Sequence, residues 1–215
     1  MQPNPPILQA EGLSFSYPQQ PARVLFDQLS LALGPGVTFL GGDEGSGKTT
    51  LLQLLAGALP SSATLRLQGV SLSPQQETYR RQVSWLDPRD TALDPQTARQ
   101  IFTGLSHGPA GCDLNALQAH IDGLSLAPHL DKALYMLSTG TRRKVLLAAA
   151  LASQTPVTLL DQPFKALDRP SIDYLLQVLA QAARHPDRAW VVADYEAPPG
   201  VPLAGVIILG LEAEI

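Results

Sequence analysis

One cysteine in 215 residues, Cys112, leaves no partner for a disulfide within the chain. The fold must be held by its core, and a reducing compartment is the expected home. Cys112 itself, in a "GPAGCD" loop, reads as an unremarkable thiol. Positive charge is also scarce. Fifteen Lys and Arg stand against 19 Asp and Glu, a net charge of −4, which argues against a nucleic-acid footprint. No run of about 18 apolar residues exists, so no membrane span is expected. The opening "MQPNPP" has no basic region leading into an apolar stretch, so no secretory signal is expected. There is no internal repeat and no low-complexity tract.

What is present suits one domain, or one domain with an insertion. Hydrophobic residues make up 45% and charged residues 16%, enough for a sizeable core. "ILQAEGLSFSY" reads as a strand. "LSLALGPGVTFLGG" reads as strand, turn and strand, with Val37 to Leu40 apolar or β-branched between glycines. "KTTLLQLLAGALP" has leucines at helical spacing and stops at Pro60. "ATLRLQGVSLS" alternates and suits an edge strand. From about residue 88 to 152, loop signals separate three helical pieces: "PQTARQIFTGL", "LNALQAHIDGL" and "TRRKVLLAAALA". Strands return in "VTLLD", "AWVVAD" and "GVIILG", the first two divided by a helical "SIDYLLQVLAQAARH". Alternating strands and helices with apolar strands imply a parallel sheet covered by helices.

The strongest local signal is "GGDEGSGKTT". Gly42, Asp43, Glu44, Gly45, Ser46, Gly47, Lys48 and Thr49 fit the phosphate-loop pattern G-x-x-x-x-G-K-[ST] at every required position. The motif follows an apolar strand and opens a helix, as it must. Its glycines let successive N–H groups turn toward one centre, and the helix N-terminus adds its dipole for an anionic phosphate. Lys48 is expected to reach the outer phosphates, and Thr49 to offer its hydroxyl to Mg²⁺, with Thr50 beside them. A second signal is the acid that ends a buried strand, Asp161 in "VTLLDQPFKALD". That is where a Mg²⁺-ordering carboxylate belongs. Alone it is a weak signal.

Taken together, the phosphate loop, "LSTGTRRK", "VTLLDQP…ALD" and Tyr17 in "LSFSYP" resemble the ATP-binding cassette family, in the right order over nearly all 215 residues. The resemblance implies a P-loop NTPase core of RecA-like α/β type, a small antiparallel β subdomain and an inserted helical subdomain. Core and β subdomain would take about 1–86 and 153–215, and the helical subdomain about 87–152. Tyr17 would stack on adenine. Two such domains pair head to tail, each ATP lying between the phosphate loop of one and the signature of the other. The signature L-S-G-G-Q appears here as Leu137, Ser138, Thr139, Gly140 and Thr141. Ser138 and the Gly140 backbone would then face the γ-phosphate bound across the dimer. Asp168 would sit in the contact loop between partners. Arg142, Arg143 and Lys144 read as a solvated helix face.

Three positions depart from the family pattern. Gln162 stands where the family usually has the Glu that polarises the attacking water. An amide can hydrogen-bond water but cannot take its proton, so whether native or introduced it predicts slow or trapped turnover. Asp194, in "WVVADYE", stands at the position of the switch histidine, and none of His107, His120, His129 and His185 falls there. An Asp there repels a γ-phosphate unless it is protonated or bridged. The glutamine loop after "VSWL" reads "DPRD", with Asp87 or Pro88 nearest the expected Gln. Asp87 is a further candidate for contact with Mg²⁺ or water.

The reading is a nucleotide-binding subunit that hydrolyses ATP with Mg²⁺ and drives separately encoded permease subunits. It would be cytoplasmic, peripheral on the inner face of the cell membrane through that permease, as a homo- or heterodimer. The "DQPFKALD" run is similar to small cassettes of bacterial exporters, including the haem-export type of cytochrome c maturation. Two other classes share the motifs. One is a catalytically silent ATP-binding regulatory module. The other is a non-transport cassette ATPase acting on ribosomes or DNA, against which the acidic, single and compact chain argues.

Overall fold

In the computed structural model, which describes residues 5–61, 63–85, 87, 89–108 and 111–210, the most apolar strands lie side by side in one parallel sheet. The strands β1 (Leu8–Ser16), β2 (Val24–Leu33), β3 (Gly36–Gly41), β4 (Thr64–Leu67), β5 (Val70–Ser71), β6 (Val83–Trp85), β7 (Val157–Asp161), β8 (Ala189–Ala193) and β9 (Leu203–Ile208) form two sheets. One has the order β6-β7-β8-β3-β9 and the other β2-β1-β4-β5. Every residue of β3 and β8 is buried, as continuous apolar runs require when helices cover both faces. In the second sheet β1 pairs antiparallel with β2 and β4. This is a P-loop α/β fold with an antiparallel β layer.

One strand expectation changes. "ATLRLQGVSLS" is a hairpin, not a single edge strand: Leu67 pairs with Val70 across a turn at Gln68 and Gly69. Both turn residues have positive φ, 46° and 83°, the geometry of a tight hairpin turn. The alternation slips phase between Leu67 and Val70, and the two-residue turn is the reason.

The helices are α1 (Lys48–Leu55), α2 (Gln76–Arg80), α3 (Ala98–His107), α4 (Leu114–Gly123), α5 (Thr139–Ala152) and α6 (Arg169–Ala182). α1 ends before Pro60. Gly57, at φ 69°, donates its N–H to Leu54 and turns the chain out of the helix. Caps set the starts of the long helices that follow. Thr97 and Gln100 form a reciprocal capping box on α3, Asp113 caps α4, and Ser138 caps α5.

Two hydrophobic clusters flank the parallel sheet. One joins α1, with Leu51, Leu52, Leu54 and Leu55 buried, to the β layer. The other joins α3, α4, α5 and α6 to Val37, Leu160, Trp190 and Val192. α5 is buried from Lys144 to Ala152 and serves both the inserted helices and the sheet.

Candidate functional site

The C-terminal ends of β3, β7 and β8 open onto one rim. Parallel pairing sets this level: Leu40 lies beside Ala193, and Ala193 beside Asp161. Residues leaving these strands therefore converge, at the edge where ligands bind in open α/β sheets.

From β3 the chain enters the phosphate loop. Gly47 precedes α1 with φ 99°, and a Cβ there would lie 2.9 Å from the Phe26 ring, so only glycine fits. No side chain caps α1 and its first turn holds no acid, which leaves its N–H groups for an anion. Lys48 Nζ donates to the carbonyls of Gly42 (2.5 Å) and Asp43 (2.9 Å) and lies 4.6 Å over the Tyr195 ring. Asp43, Glu44 and Gly45 are exposed on the loop.

The Thr49 hydroxyl donates to Asp161 Oδ2 at 2.7 Å. Asp161 Oδ1 is buried without a hydrogen-bond partner, and so is Ser46 Oγ. Buried oxygens left in this state call for a ligand. A hard oxygen pair from Thr49 and Asp161 fits Mg²⁺, which takes one or two protein ligands and completes its shell with phosphate and water. Among the described residues no cluster of three or more His, Cys, Asp or Glu could hold a metal.

A cavity of about 650 Å³ opens above these groups. Its wall carries Arg23, Lys48, Arg89, Arg143 and Lys165 against Asp43, Glu44 and Asp161, a positive balance that suits an anion. Tyr17 stands at one side. Its hydroxyl meets Thr50 Oγ1 at 2.6 Å, its ring packs edge-on against Phe15, and it is 40% exposed, leaving ring surface for a planar base.

Gln162 lines the same cavity in a left-handed conformation, φ 45°. Its N–H donates to Ala193 O (2.8 Å), and its Oε1 accepts from Lys165 Nζ (3.3 Å). Asp194 follows β8 directly, donating its N–H to Leu40 O. Burial pushes its carboxyl above the usual range and the charge of Asp161 adds to this, against the Tyr195 N–H, Lys48 and Arg143. Tyr195, which carries no motif, lines the cavity.

Asp87 is held by neighbours. Oδ1 accepts from the Arg89 N–H (2.9 Å) and Nε (3.2 Å), and Oδ2 from Gln53 (3.3 Å). Burial opposes its charge, but these donors hold the carboxyl below its usual range. Arg89 is the residue of this loop that lines the cavity. Pro88 lies outside the described residues.

The signature residues Ser138, Thr139, Gly140 and Thr141 are not among the described residues that line the cavity within one chain. Ser138 Oγ accepts from the Thr141 N–H (3.2 Å) and meets the Thr141 hydroxyl (2.9 Å). Gly140 packs on the loop before α6: a Cβ there would lie 2.4 Å from Ala166 O. In that loop Asp168 caps α6 through the Ser171 N–H and accepts from Lys144 Nζ at 2.6 Å. The Lys144 hydrogen bond first, then the Ser171 donors, pull its carboxyl down to about 2.

The basic triplet of α5 is not a solvated face. Arg142 pairs with Asp94 at 2.9 Å, Lys144 is buried against Asp168, and Arg143 Nη1 donates to the carbonyls of Asp161 (3.1 Å) and Gln162 (2.5 Å). Each partner comes from a distant segment, which no local charge pattern reveals.

The family model described as ABC transporter matches residues 26–165. The cytochrome c biogenesis ATP-binding export protein CcmA of Pseudomonas syringae pv. syringae is 34% identical over 189 residues, 86% of each chain. Its namesake from Nitrosomonas europaea is 33% identical over 159 residues, 72% of this chain and 74% of that one. The cobalt import ATP-binding protein CbiO of Rhodobacter capsulatus is 33% identical over 185 residues, 81% of this chain but 65% of that one. Among solved structures, an ATP-binding subunit of an ABC transporter superposes with a TM-score of 0.82 at 20% identity, covering 94% of this chain and 85% of its own.

Proposed function

Because this chain belongs to the ABC transporter family, as an ATP-binding ATPase subunit, we propose that it powers a membrane export system of the type serving cytochrome c biogenesis. The export relative aligns over 86% of both chains, whereas the importer is matched over only 65% of its length. No helix of the described residues is long and apolar enough to cross a membrane. In this reading permease subunits provide the translocation path. The subunit works on the cytoplasmic face, peripheral to the membrane, as a head-to-tail pair with a second cassette.

In this reading Tyr17 stacks on the base. The phosphate loop and Lys48 bind the phosphates, and Lys48 gives up its two carbonyl contacts to do so. Thr49 and Asp161 hold Mg²⁺, which when bound offsets charge on the phosphate oxygens. Ser138 and Gly140 meet the partner cassette's nucleotide, and Asp168 lies in the contact between cassettes. Gln162 orients the attacking water without accepting its proton. Asp194 stands where the family's histidine would sense the γ-phosphate. Turnover is then slower by about 10²–10⁴-fold than with a carboxylate at position 162.

The observation that carries this reading is Asp161 Oδ1, buried and without a partner beside the Thr49 hydroxyl at the floor of the cavity. Binding of Mg-ATP and ATPase turnover of this protein beside Gln162→Glu test it. The expected result is binding in both and faster turnover in the Glu variant. Absence of Mg-ATP binding in either overturns it. Binding in both with turnover in neither favours a silent ATP-binding module, a second reading that the engagement of Gln162 Oε1 by Lys165 supports.

A further inference from the structure

Arg143 stands on the second turn of α5, the helix that opens with Ser138 and Thr141. Its side chain runs inward between the phosphate cavity and a small apolar pocket lined by Leu146, Leu147, Leu159 and Leu160. There Nη1 reaches both Asp161 O (3.1 Å) and Gln162 O (2.5 Å). Nε is buried and has no hydrogen-bond partner.

These contacts matter because of the conformation they meet. Gln162 is a non-glycine residue at φ 45°, which a β-carbon disfavours and which persists only where surroundings over-determine it. Its peptide N–H is fixed from the β8 side by Ala193 O at 2.8 Å. Its carbonyl is fixed from the α5 side by Arg143. The residue that faces the cavity is thus clamped between a strand and the signature helix. The contact to Asp161 O extends the clamp to the residue whose carboxylate meets Thr49.

We infer that Arg143 is a positioning residue for ATP hydrolysis: its guanidinium sets the peptide geometry of Asp161 and Gln162, and so ties the water-handling side chain to the helix that carries the signature. The inference rests on the nucleotide reading proposed above. It assigns no contact between Arg143 and the reacting atoms. The loop and Lys48 hold the phosphates, and Arg143, whose Nη1 is engaged by the two carbonyls, adds to their binding only its charge on the cavity wall. Presentation of Gln162 depends on the clamp itself.

The test compares the intact protein with Arg143→Met, which keeps an unbranched stem in the apolar pocket, and with Arg143→Lys, which keeps a charged donor. Hydrogen exchange of the segment 160–165 is followed together with Mg-ATP binding and steady-state turnover. In Arg143→Met, exchange of that segment is expected to rise about tenfold or more as the clamp opens locally. kcat is expected to fall about 10–100-fold while KM and the Kd for Mg-ATP stay within about threefold. Arg143→Lys is expected to recover most of both losses. Unchanged exchange in Arg143→Met overturns the inference. So does a Kd that weakens in step with kcat, or a Lys variant no better than Met. Loss of Mg-ATP binding in the unsubstituted protein would overturn the nucleotide reading instead, and the exchange comparison would still decide the clamp.

Discussion

Lys144 and Asp168 meet at 2.6 Å, Nζ to Oδ2, joining the signature helix to the first turn of α6. The pair is lopsided: the Lys144 side chain is 11% exposed and that of Asp168 57%. The two ends should therefore respond differently to substitution. Lys144→Met replaces a buried cation with an apolar stem and is expected to cost less than about 1 kcal/mol. Asp168→Ala removes the cap of α6 and strands the buried ammonium, so about 2–3 kcal/mol is expected. Urea unfolding of both variants checks the order, and equal costs would refute the asymmetry.

The same pair makes a pH prediction. The Asp168 carboxyl titrates at about 2 in the folded chain, below its ordinary value of 3.8. A depressed carboxylate favours the fold above its unfolded pKa, and that support fades as pH falls from about 5 toward 2. Because Asp168 is half exposed, solvent screening holds the amount to about 1 kcal/mol or less. The urea midpoint of Lys144→Met should fall less steeply over this range than that of the parent chain.

Two glycines in helices should respond with opposite signs. Gly104, in α3, has nothing within 4 Å of a built Cβ, so Gly104→Ala is expected to stabilise by about 0.5–1 kcal/mol through helix propensity alone. Gly140, in α5, would place its Cβ 2.4 Å from Ala166 O. Gly140→Ala is expected to destabilise by about 1–3 kcal/mol, since either the loop or the helix must move. Thermal unfolding of the two single variants is the measurement.

Tyr17 separates base stacking from its hydroxyl contact. Tyr17→Phe loses only the bond to Thr50 and should leave Mg-ATP affinity within about threefold. Tyr17→Ala loses the ring and should weaken binding about 5–100-fold, the range of base–aromatic stacking. Titration with Mg-ATP distinguishes them. Equal affinities in the two variants would remove Tyr17 from the base site.

Asp194→Asn takes a carboxylate from beside the phosphate site, where Asp161 already stands. Tighter Mg-ATP binding, by about 3–30-fold, is expected, with a steeper loss of affinity as ionic strength rises. Unchanged affinity at low salt would mean that Asp194 is already uncharged when nucleotide binds.

The elements whose chemistry is local in the chain were legible from the sequence. Gly42 to Thr49 must be contiguous to cradle an anion, and Asp161 must end a buried strand, so spacing and burial pattern carry both. The strand order of the parallel sheet, and hence which strand lies between Asp161 and Thr49, was not legible: parallel pairing is set by crossovers. Arg143 shows the harder case. At the start of a helix, three successive cations read as water-facing, yet each finds a separate tertiary partner in Asp94, Gln162 or Asp168. A helix pressed against a strand terminus turns an apparent surface charge into a buried brace, and only the packing of α5 on β7 reveals it. The hairpin at Gln68 was signalled by a phase slip that two consecutive positive-φ residues explain.

The order β7-β8-β3 has one more outcome. Asp161 leaves the first of these strands and the phosphate loop leaves the third, about 10 Å apart at ordinary strand spacing. The Thr49–Asp161 hydrogen bond ties α1 to the end of β7, and the chain leaving β8 emerges between Asp161 and the phosphate loop. Asp194 there donates its N–H to Leu40 O and feels the charges of both Asp161 and Lys48, while Lys48 Nζ lies over the Tyr195 ring. A change of charge at position 194 is therefore felt on both sides of β8.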